Sequence, residues 1–211
     1  MVHRKMSCRR WTLARWAAVR QRVWATEAAQ IVELAVTLPL MVVIFVGIYD
    51  FGQAFNLKQK LSLATREAAR FGANHSTADL TNAGTQCAPA PDSICAVRDD
   101  VDAYLISNNI NDCGLTNIAT APVAQTAGTW TWTFTASGCS SGTFTLAINR
   151  SATFTVIDPG SGNTITVEAT QVSMSYPYQW HFNGVIQLVV PGASYAAITQ
   201  IPTTAVMQNL N

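Results

Sequence analysis

The chain has 211 residues, which is enough for one domain of ordinary size and a membrane anchor and too few for several independent domains. Its net charge of +1 hides an uneven distribution, since seven of the thirteen basic residues precede residue 23. Beyond Gly72 the chain carries two basic and eight acidic side chains, a net charge of −6. This acidic balance argues against a nucleic acid partner, which would require a basic surface.

An apolar segment of 18 residues, 31–48, follows the basic N-terminal region, and Glu33 is its one ionisable residue. As a helix it would rise about 27 Å, enough to cross the hydrocarbon core of a bilayer. The basic residues before it place the N-terminus in the cytoplasm by the positive-inside rule. A cleavable secretory signal is the competing interpretation, but no convincing small-residue cleavage site follows the segment. We therefore predict a single-pass protein whose residues beyond about 50 lie outside the cytoplasm.

The helical pattern continues past the apolar segment. Small and apolar residues recur at spacings of three and four as far as Phe71, and Gly72 suits the end of a helix. The sequence thus predicts one helix of about 40 residues. Pro39 removes one backbone hydrogen bond within it, which predicts either a simple kink or a point of local melting and repacking.

A connector rich in small and polar residues spans 75–91, and Asp92 or Ser93 can then cap a short helix. Its residues Asp99, Asp100 and Asp102 are expected to form a solvated face. They do not have calcium-loop spacing. The connector and this helix lead into the β-rich part of the chain.

The remainder alternates as β-structure. We predict strands at 129–136, 143–148, 152–157 and 164–176, an edge strand at 185–190, and either a last strand or a loose arm at 194–211. Trp130, Trp132 and Phe134 are expected to share one face of the first strand. The fold class is therefore α+β, with a long N-terminal transmembrane helix followed by an antiparallel sheet and a short helix.

Four of the five cysteines lie on the oxidising side of the membrane. An even set there favours disulfides, and four cysteines allow three pairings. Sequence proximity alone favours Cys87 with Cys95 and Cys113 with Cys139, and two pairs of free thiols remain the alternative. The spacings do not match zinc-site doublets, so no metal is expected.

The extracytoplasmic part shows no nucleophile motif, and its two histidines, His75 and His181, do not belong to a recognisable catalytic pattern. His181 lies in the aromatic cluster 176–182, which is more typical of a sheet core than of a ligand platform. We therefore expect neither an enzyme nor a cofactor. A Ser, His and Asp grouping assembled from distant parts of the chain stays open as an alternative.

Three blocks carry a family resemblance: residues 30–40 around Glu33 and Pro39, residues 47–53 with Gly47, Asp50 and Gly52, and residues 64–73 ending in Arg70-Phe-Gly-Ala. In order and spacing they resemble the TadE-like family of bacterial tight-adherence pilus assembly proteins. The resemblance covers about residues 28–74. It implies a non-enzymatic, pilin-like minor pilin or pseudopilin of the inner membrane, working with other pilins and the tight-adherence secretion machinery.

The resemblance also implies cleavage by a prepilin peptidase on the cytoplasmic side, five residues before the glutamate. Counting back from Glu33 places that junction between Ala28 and Ala29, although the family usually has Gly where Ala28 stands. The implied organisation is a basic cytoplasmic leader (1–28), a transmembrane and protruding helix (29–74) and a periplasmic α+β domain (75–211). Glu33 would then set the register of packed helices through a neighbouring subunit's α-amine. The alternative is that Glu33 reaches toward headgroups or water.

Two other functions compete with pilus assembly. The first is a membrane-anchored binding module that contacts a surface ligand through Trp130, Trp132 and Trp180. The second is a tethered hydrolase, which would require a cleft with convergent polar groups.

Overall fold

A computed structural model describes residues 8–80, 83, 87, 92–116, 123–124, 130–182, 187, 192 and 199–210. It contains two helices and five strands, and the predicted α+β class is confirmed. In chain order they are α1 (Cys8–Asn74), α2 (Ser93–Ser107), β1 (Val123–Ala124), β2 (Thr131–Cys139), β3 (Gly142–Ile157), β4 (Thr164–Pro177) and β5 (Gln200–Gln208).

The chain divides into two compact units. One comprises Met1–Tyr49 and Gly184–Ala193, and the other comprises Asp50–Asn183 and Ser194–Asn211. The second unit therefore includes the C-terminal part of α1, from Asp50 onward, together with α2 and the sheet.

The predicted stripe of small and apolar residues on α1 is confirmed. Leu61, Ala64 and Ala68 are fully buried, and Leu57 and Phe71 pack partly buried against the same core. Small side chains bring the helix backbone close to the sheet, so the stripe acts as the docking face of the helix. Pro39 lies inside α1 without ending it.

All five strands pair antiparallel in the order β1-β2-β3-β4-β5. The prediction of two separate strands at 143–148 and 152–157 is wrong, because both belong to the continuous strand β3. An irregularity between Asn149 and Ala152 explains the apparent break. Extra residues in a β-bulge interrupt the alternation of side chains without ending the pairing with β4.

The core lies between the sheet and the two helices. Buried residues of α1 and α2 join those of one sheet face, including Trp132, Phe134, Phe144, Leu146 and Ile148. Both helices therefore cover the same face of the sheet, which gives a two-layer domain.

Helix α2 starts as predicted, with Asp92 as its N-cap. The Asp92 carboxylate accepts hydrogen bonds from the amides of Ile94 and Cys95 at 3.1 and 2.8 Å. The expectation that Asp102 is solvated is wrong, because that residue is only 8% exposed. The helix turns this position toward Asp112 and Thr116, and burial is the main cause that raises the pKa of Asp102 to about 6.

At the C-terminal end, β5 shows that the tail forms a last strand and not a loose arm. It is joined to α1 by a buried hydrogen bond of 2.8 Å between the hydroxyls of Thr203 and Thr65. Since the Thr65 hydroxyl donates to the Leu61 carbonyl, Thr203 is the donor in this contact. Of the predicted strand at 185–190 the structure describes Gln187 alone, which is helical and not extended; the rest of that segment lies outside the described residues.

Disulfides join Cys87 to Cys95 and Cys113 to Cys139, the pairs that sequence proximity favoured. The first ties the connector to the start of α2. The second ties the loop after α2 to the end of β2, where Gly138 donates a hydrogen bond to the Cys113 carbonyl at 2.9 Å. Both disulfides hold loops against the core of the folded domain. They also stabilise it by restricting the conformations open to the unfolded chain.

Candidate functional site: an apolar helix segment and a clamped helix end

Residues 28–49 of α1 expose an apolar surface. Large side chains such as Leu34, Leu40 and Phe45 are 60 to 62% exposed. Within the part of the chain that the structure describes, the segment beginning at Ala28 is the one helix long and apolar enough to cross a membrane. A surface of this size is too costly to leave in water, so it indicates lipid or other helices as its surroundings.

The residues implied in processing and register all lie on this segment. Ala28, Ala29 and Glu33 are exposed on α1, and Pro39 lies further along the same helix. The Thr37 hydroxyl donates to the Leu34 carbonyl at 3.4 Å, so it serves the helix itself. Cleavage, register and kinking remain predictions for these positions.

Asp50 forms a clamp at the start of the second unit. Its side chain is fully buried, and it accepts hydrogen bonds from the backbone amides of His181 at 3.4 Å and Phe182 at 3.3 Å. The Tyr178 hydroxyl reaches the same residue, donating to its carbonyl oxygen at 3.3 Å. The His181 ring completes the set, with its Nδ1 at 3.6 Å from the carboxylate. This carboxylate therefore anchors the segment 178–182 to α1.

Aromatic rings strengthen the clamp. Trp180 packs edge-on against both Phe51 and Tyr178, each with ring centroids 5.0 Å apart. Such edge-to-face contacts stabilise beyond the area that they bury. The expectation that the cluster is packing material, and not a ligand platform, agrees with this arrangement.

The C-terminal end of α1 is held by Arg150 from β3. This guanidinium is 3% exposed and donates hydrogen bonds to the carbonyls of Gly72 and His75. A cation at these carbonyls matches the negative end of the helix dipole. Burial lowers the pKa of Arg150, and nearby Asp79 opposes that change. Arg150 thus binds the sheet to the last turn of α1.

A cleft of about 430 Å³ lies beside the clamp, lined by 15 residues that include Lys60, Ser141 and His181. It brings a serine and a histidine, two members of a hydrolytic triad, to one cleft. The Ser141 hydroxyl donates to the Pro177 carbonyl at 3.2 Å, so its proton is directed away from the His181 ring. Lys60 donates to the Asn108 carbonyl at 3.3 Å, which joins α1 to the end of α2. These two hydrogen bonds join neighbouring elements of the domain.

Sequence reasoning missed two of the residues that build this site. Asp50 lies in a block of the family resemblance. Nothing in the nearby sequence indicates that it is buried, because its partners are 128 to 132 positions away. Arg150 had one usable signal, because it is one of two basic residues beyond Gly72 and sits in an apolar strand. A lone cation at such a position indicates a buried partner.

A comparison with protein families finds one similarity, and it lies on α1. Residues 28–70 match the model of the TadE-like protein family. The TadE-like match includes the apolar segment, Glu33, Pro39 and Asp50, and leaves α2 and the sheet outside. No curated protein and no solved structure matches the chain significantly.

Proposed function

We propose that this protein is a minor pilin or pseudopilin that takes part in assembling tight-adherence pili. One observation carries the proposal. The TadE-like match falls on a helix whose residues 28–49 are apolar and exposed, while its residues after 50 are packed into a disulfide-linked domain. This combination suits a protein that packs against other helices in the membrane and presents a folded domain outside it.

The proposed topology follows from charge and apolarity. Residues 1–28 form a basic cytoplasmic leader, residues 29–74 form the anchoring and protruding helix, and residues 75–211 form the periplasmic domain. The bacterial inner membrane is the proposed location, with other pilins and the tight-adherence secretion machinery as partners. TadE-like proteins are generally non-enzymatic, and a non-enzymatic role is part of the proposal for this chain.

Processing between Ala28 and Ala29 by a prepilin peptidase is part of the proposal. N-terminal sequencing of the membrane-bound protein tests it directly. A mature chain that begins at Ala29 supports the proposal, and a chain that keeps the basic leader in cells with active peptidase rules out processing. Replacing Ala28 with Gly, the residue more usual in the family, should leave the cleavage position unchanged.

Glu33 is proposed to pair with the α-amine that this cleavage creates on a neighbouring subunit. The E33Q substitution keeps the size of the side chain and removes its charge, so pilus assembly should fall at least tenfold. E67Q is a matched control, because Glu67 is exposed on the same helix outside the apolar segment. Normal piliation and normal co-purification with pilins in the E33Q strain would remove the register role.

The alternative function, a binding module with an aromatic platform, receives less support. Trp132 is 1% exposed and donates its ring N–H to the Ala83 carbonyl at 3.0 Å, and Trp180 packs against Phe51 and Tyr178. Of the three tryptophans, Trp130 alone is exposed, at 44%. W130A should therefore leave piliation unchanged. Loss of adhesion with normal pili in that variant would favour the binding module instead.

A further inference from the structure

The face of the sheet turned away from the helices carries no charged side chain among the described residues. Side chains alternate between the faces of a strand, and directly paired residues share a face. Since buried Ile148 pairs with buried Val172, their neighbours Asn149 and Gln171 lie on the outer face. The same alternation gives this outer face mainly threonine, serine and amide side chains, all uncharged.

The bulge in β3 moves an apolar strip onto this outer face. Before the bulge Ile148 pairs with Val172, and after it Ala152 pairs with Ala169. Val172 and Ala169 are three positions apart and lie on opposite faces, so Ala152 lies opposite to Ile148. The cross-strand pairs Phe154 with Val167 and Val156 with Ile165 follow Ala152 on the outer face.

This strip is open to solvent. Val156 and Ile165 are 43% and 50% exposed, and Val206 of the neighbouring strand is 44% exposed. Phe154 and Val167 are half-buried. A two-stranded ribbon with an open apolar face is marginal on its own. An apolar centre with an uncharged polar margin is also the composition that marks the core of a protein interface.

The distribution of charge on the domain favours a second copy of this chain as the partner of the outer face. The part of the chain beyond Gly72 has a net charge of −6, and its acidic residues lie on the connector, on α2 and the loop after it, at Asp158 in the β3–β4 turn, and at Glu168. Glu168 pairs with Thr153, which places it on the helix side of the ribbon. Two copies of such an acidic domain repel each other where these carboxylates meet. The outer face is the surface on which two copies can approach without that repulsion.

We propose that two copies of this protein pack outer face to outer face, with the strip of Phe154, Val156, Ile165 and Val167 at the centre. The contact is isologous, so the same patch serves both copies, and it stacks two sheets in the manner of a β-sandwich. The pairing concerns the extracytoplasmic domain alone and does not depend on a role in pilus assembly.

Crosslinking of the full-length protein in its own membrane tests the contact. Ile165→Cys, Val167→Cys and Val206→Cys, on or beside the strip, are made singly in a Cys8→Ser background. Each is treated with a bismaleimide whose span is about 10 Å, the spacing of stacked sheets. We expect a crosslinked dimer of this chain with at least one of them. Thr166→Cys is the matched control, because it is exposed on the same ribbon but faces the helix side. It should crosslink at least fivefold less.

Two lysine substitutions, one on the strip and one on the opposite face, test the apolar strip itself. Val156→Lys in the best crosslinking background should lower the dimer yield at least tenfold, whereas Thr155→Lys, exposed on the opposite face of the ribbon, should change it less than twofold. Correct formation of both disulfides in each variant shows that the domain is folded. Three results overturn the proposal: free reaction of Val167→Cys with a monofunctional maleimide but no dimer at any position, crosslinks to other proteins only, or equal yields with the Thr166→Cys control.

Discussion

The Arg150 guanidinium closes the C-terminal end of α1 by donating to the Gly72 carbonyl, across 78 positions of sequence. A second hydrogen bond of 2.7 Å goes to the carbonyl of His75, just past the helix end. One side chain of the sheet thereby donates to the Gly72 carbonyl, which also accepts the His75 amide at 3.0 Å, and to a second carbonyl just beyond the helix. This contact fixes where the long helix stops relative to the sheet of its own unit.

Arg150→Met should destabilise the domain by about 3 kcal/mol, because it leaves buried carbonyls without their charged donor. Thermal unfolding of the full chain in detergent, followed by near-ultraviolet circular dichroism, measures the change. Arg70→Met is the control, since Arg70 is exposed on the same helix, and it should cost less than about 0.5 kcal/mol. Equal losses in the two variants would show that the cap contributes nothing specific.

Gly72→Ala should also destabilise, although alanine is the better helix former. An added Cβ would lie 3.1 Å from Thr170 Cγ2 and 3.2 Å from both Arg150 Nη1 and Val97 Cγ2. Gly52 lies in the same helix with nothing within 4 Å of such an atom. Gly52→Ala should therefore stabilise by about 0.5 to 1 kcal/mol. Opposite signs in the two unfolding midpoints are the expected result, and a shared sign would contradict the close packing at Gly72.

Asp50→Ala should release the segment 178–182 from α1. The substitution removes the acceptor for two backbone amides and leaves the fully buried position without its carboxylate. Hydrogen exchange of residues 178–182 should become at least tenfold faster. Asn56→Ala, exposed one to two turns further along the helix, should leave exchange there unchanged. Unaltered protection in Asp50→Ala would mean that the aromatic contacts alone hold the segment.

Stability should depend on pH through Asp102. Burial, followed by the hydrogen bond with Asp112, raises its pKa from an ordinary 3.8 to about 6. Because the folded protein favours the protonated acid, this contribution is fully present below about pH 4 and is lost as the pH rises through 6. Asp102→Asn should flatten this slope and stabilise the protein by about 1 kcal/mol at pH 7, allowing for screening by water.

The measurement for Asp102 is urea unfolding at pH 4, 5.5 and 7. Glu168→Gln, which neutralises an exposed carboxylate, serves as the control and should leave the contribution of Asp102 in place. A slope that is unchanged in Asp102→Asn would assign the pH dependence to other groups.

Several elements were predictable because their signals are local. The apolar segment, the stripe ending at Phe71, the cap at Asp92 and the strand at 164–177 each rest on periodicity or on a capping side chain within a few residues. The continuity of β3 was not predictable in this way. Its bulge shifts the side-chain alternation, and only the pairing with β4 shows that the strand continues.

The residues of the candidate site also fall into two groups, those with a local signal in the sequence and those without one. Glu33 and Pro39 stand out in the sequence because an ionisable group and a proline are unusual in an apolar helix. The junction at Ala28 is a prediction from the family resemblance. Asp50 and Arg150 become informative only through partners more than 70 positions away, on other elements.

By itself, the sequence determined the long apolar helix and the α+β class, because these depend on apolarity and period along the chain. Tertiary structure alone decided that α1 is clamped by Asp50 and capped by Arg150, that Asp102 is buried, and that the outer face of the sheet is uncharged. Burial and strand register arise from contacts between distant residues. Local patterns do not encode them.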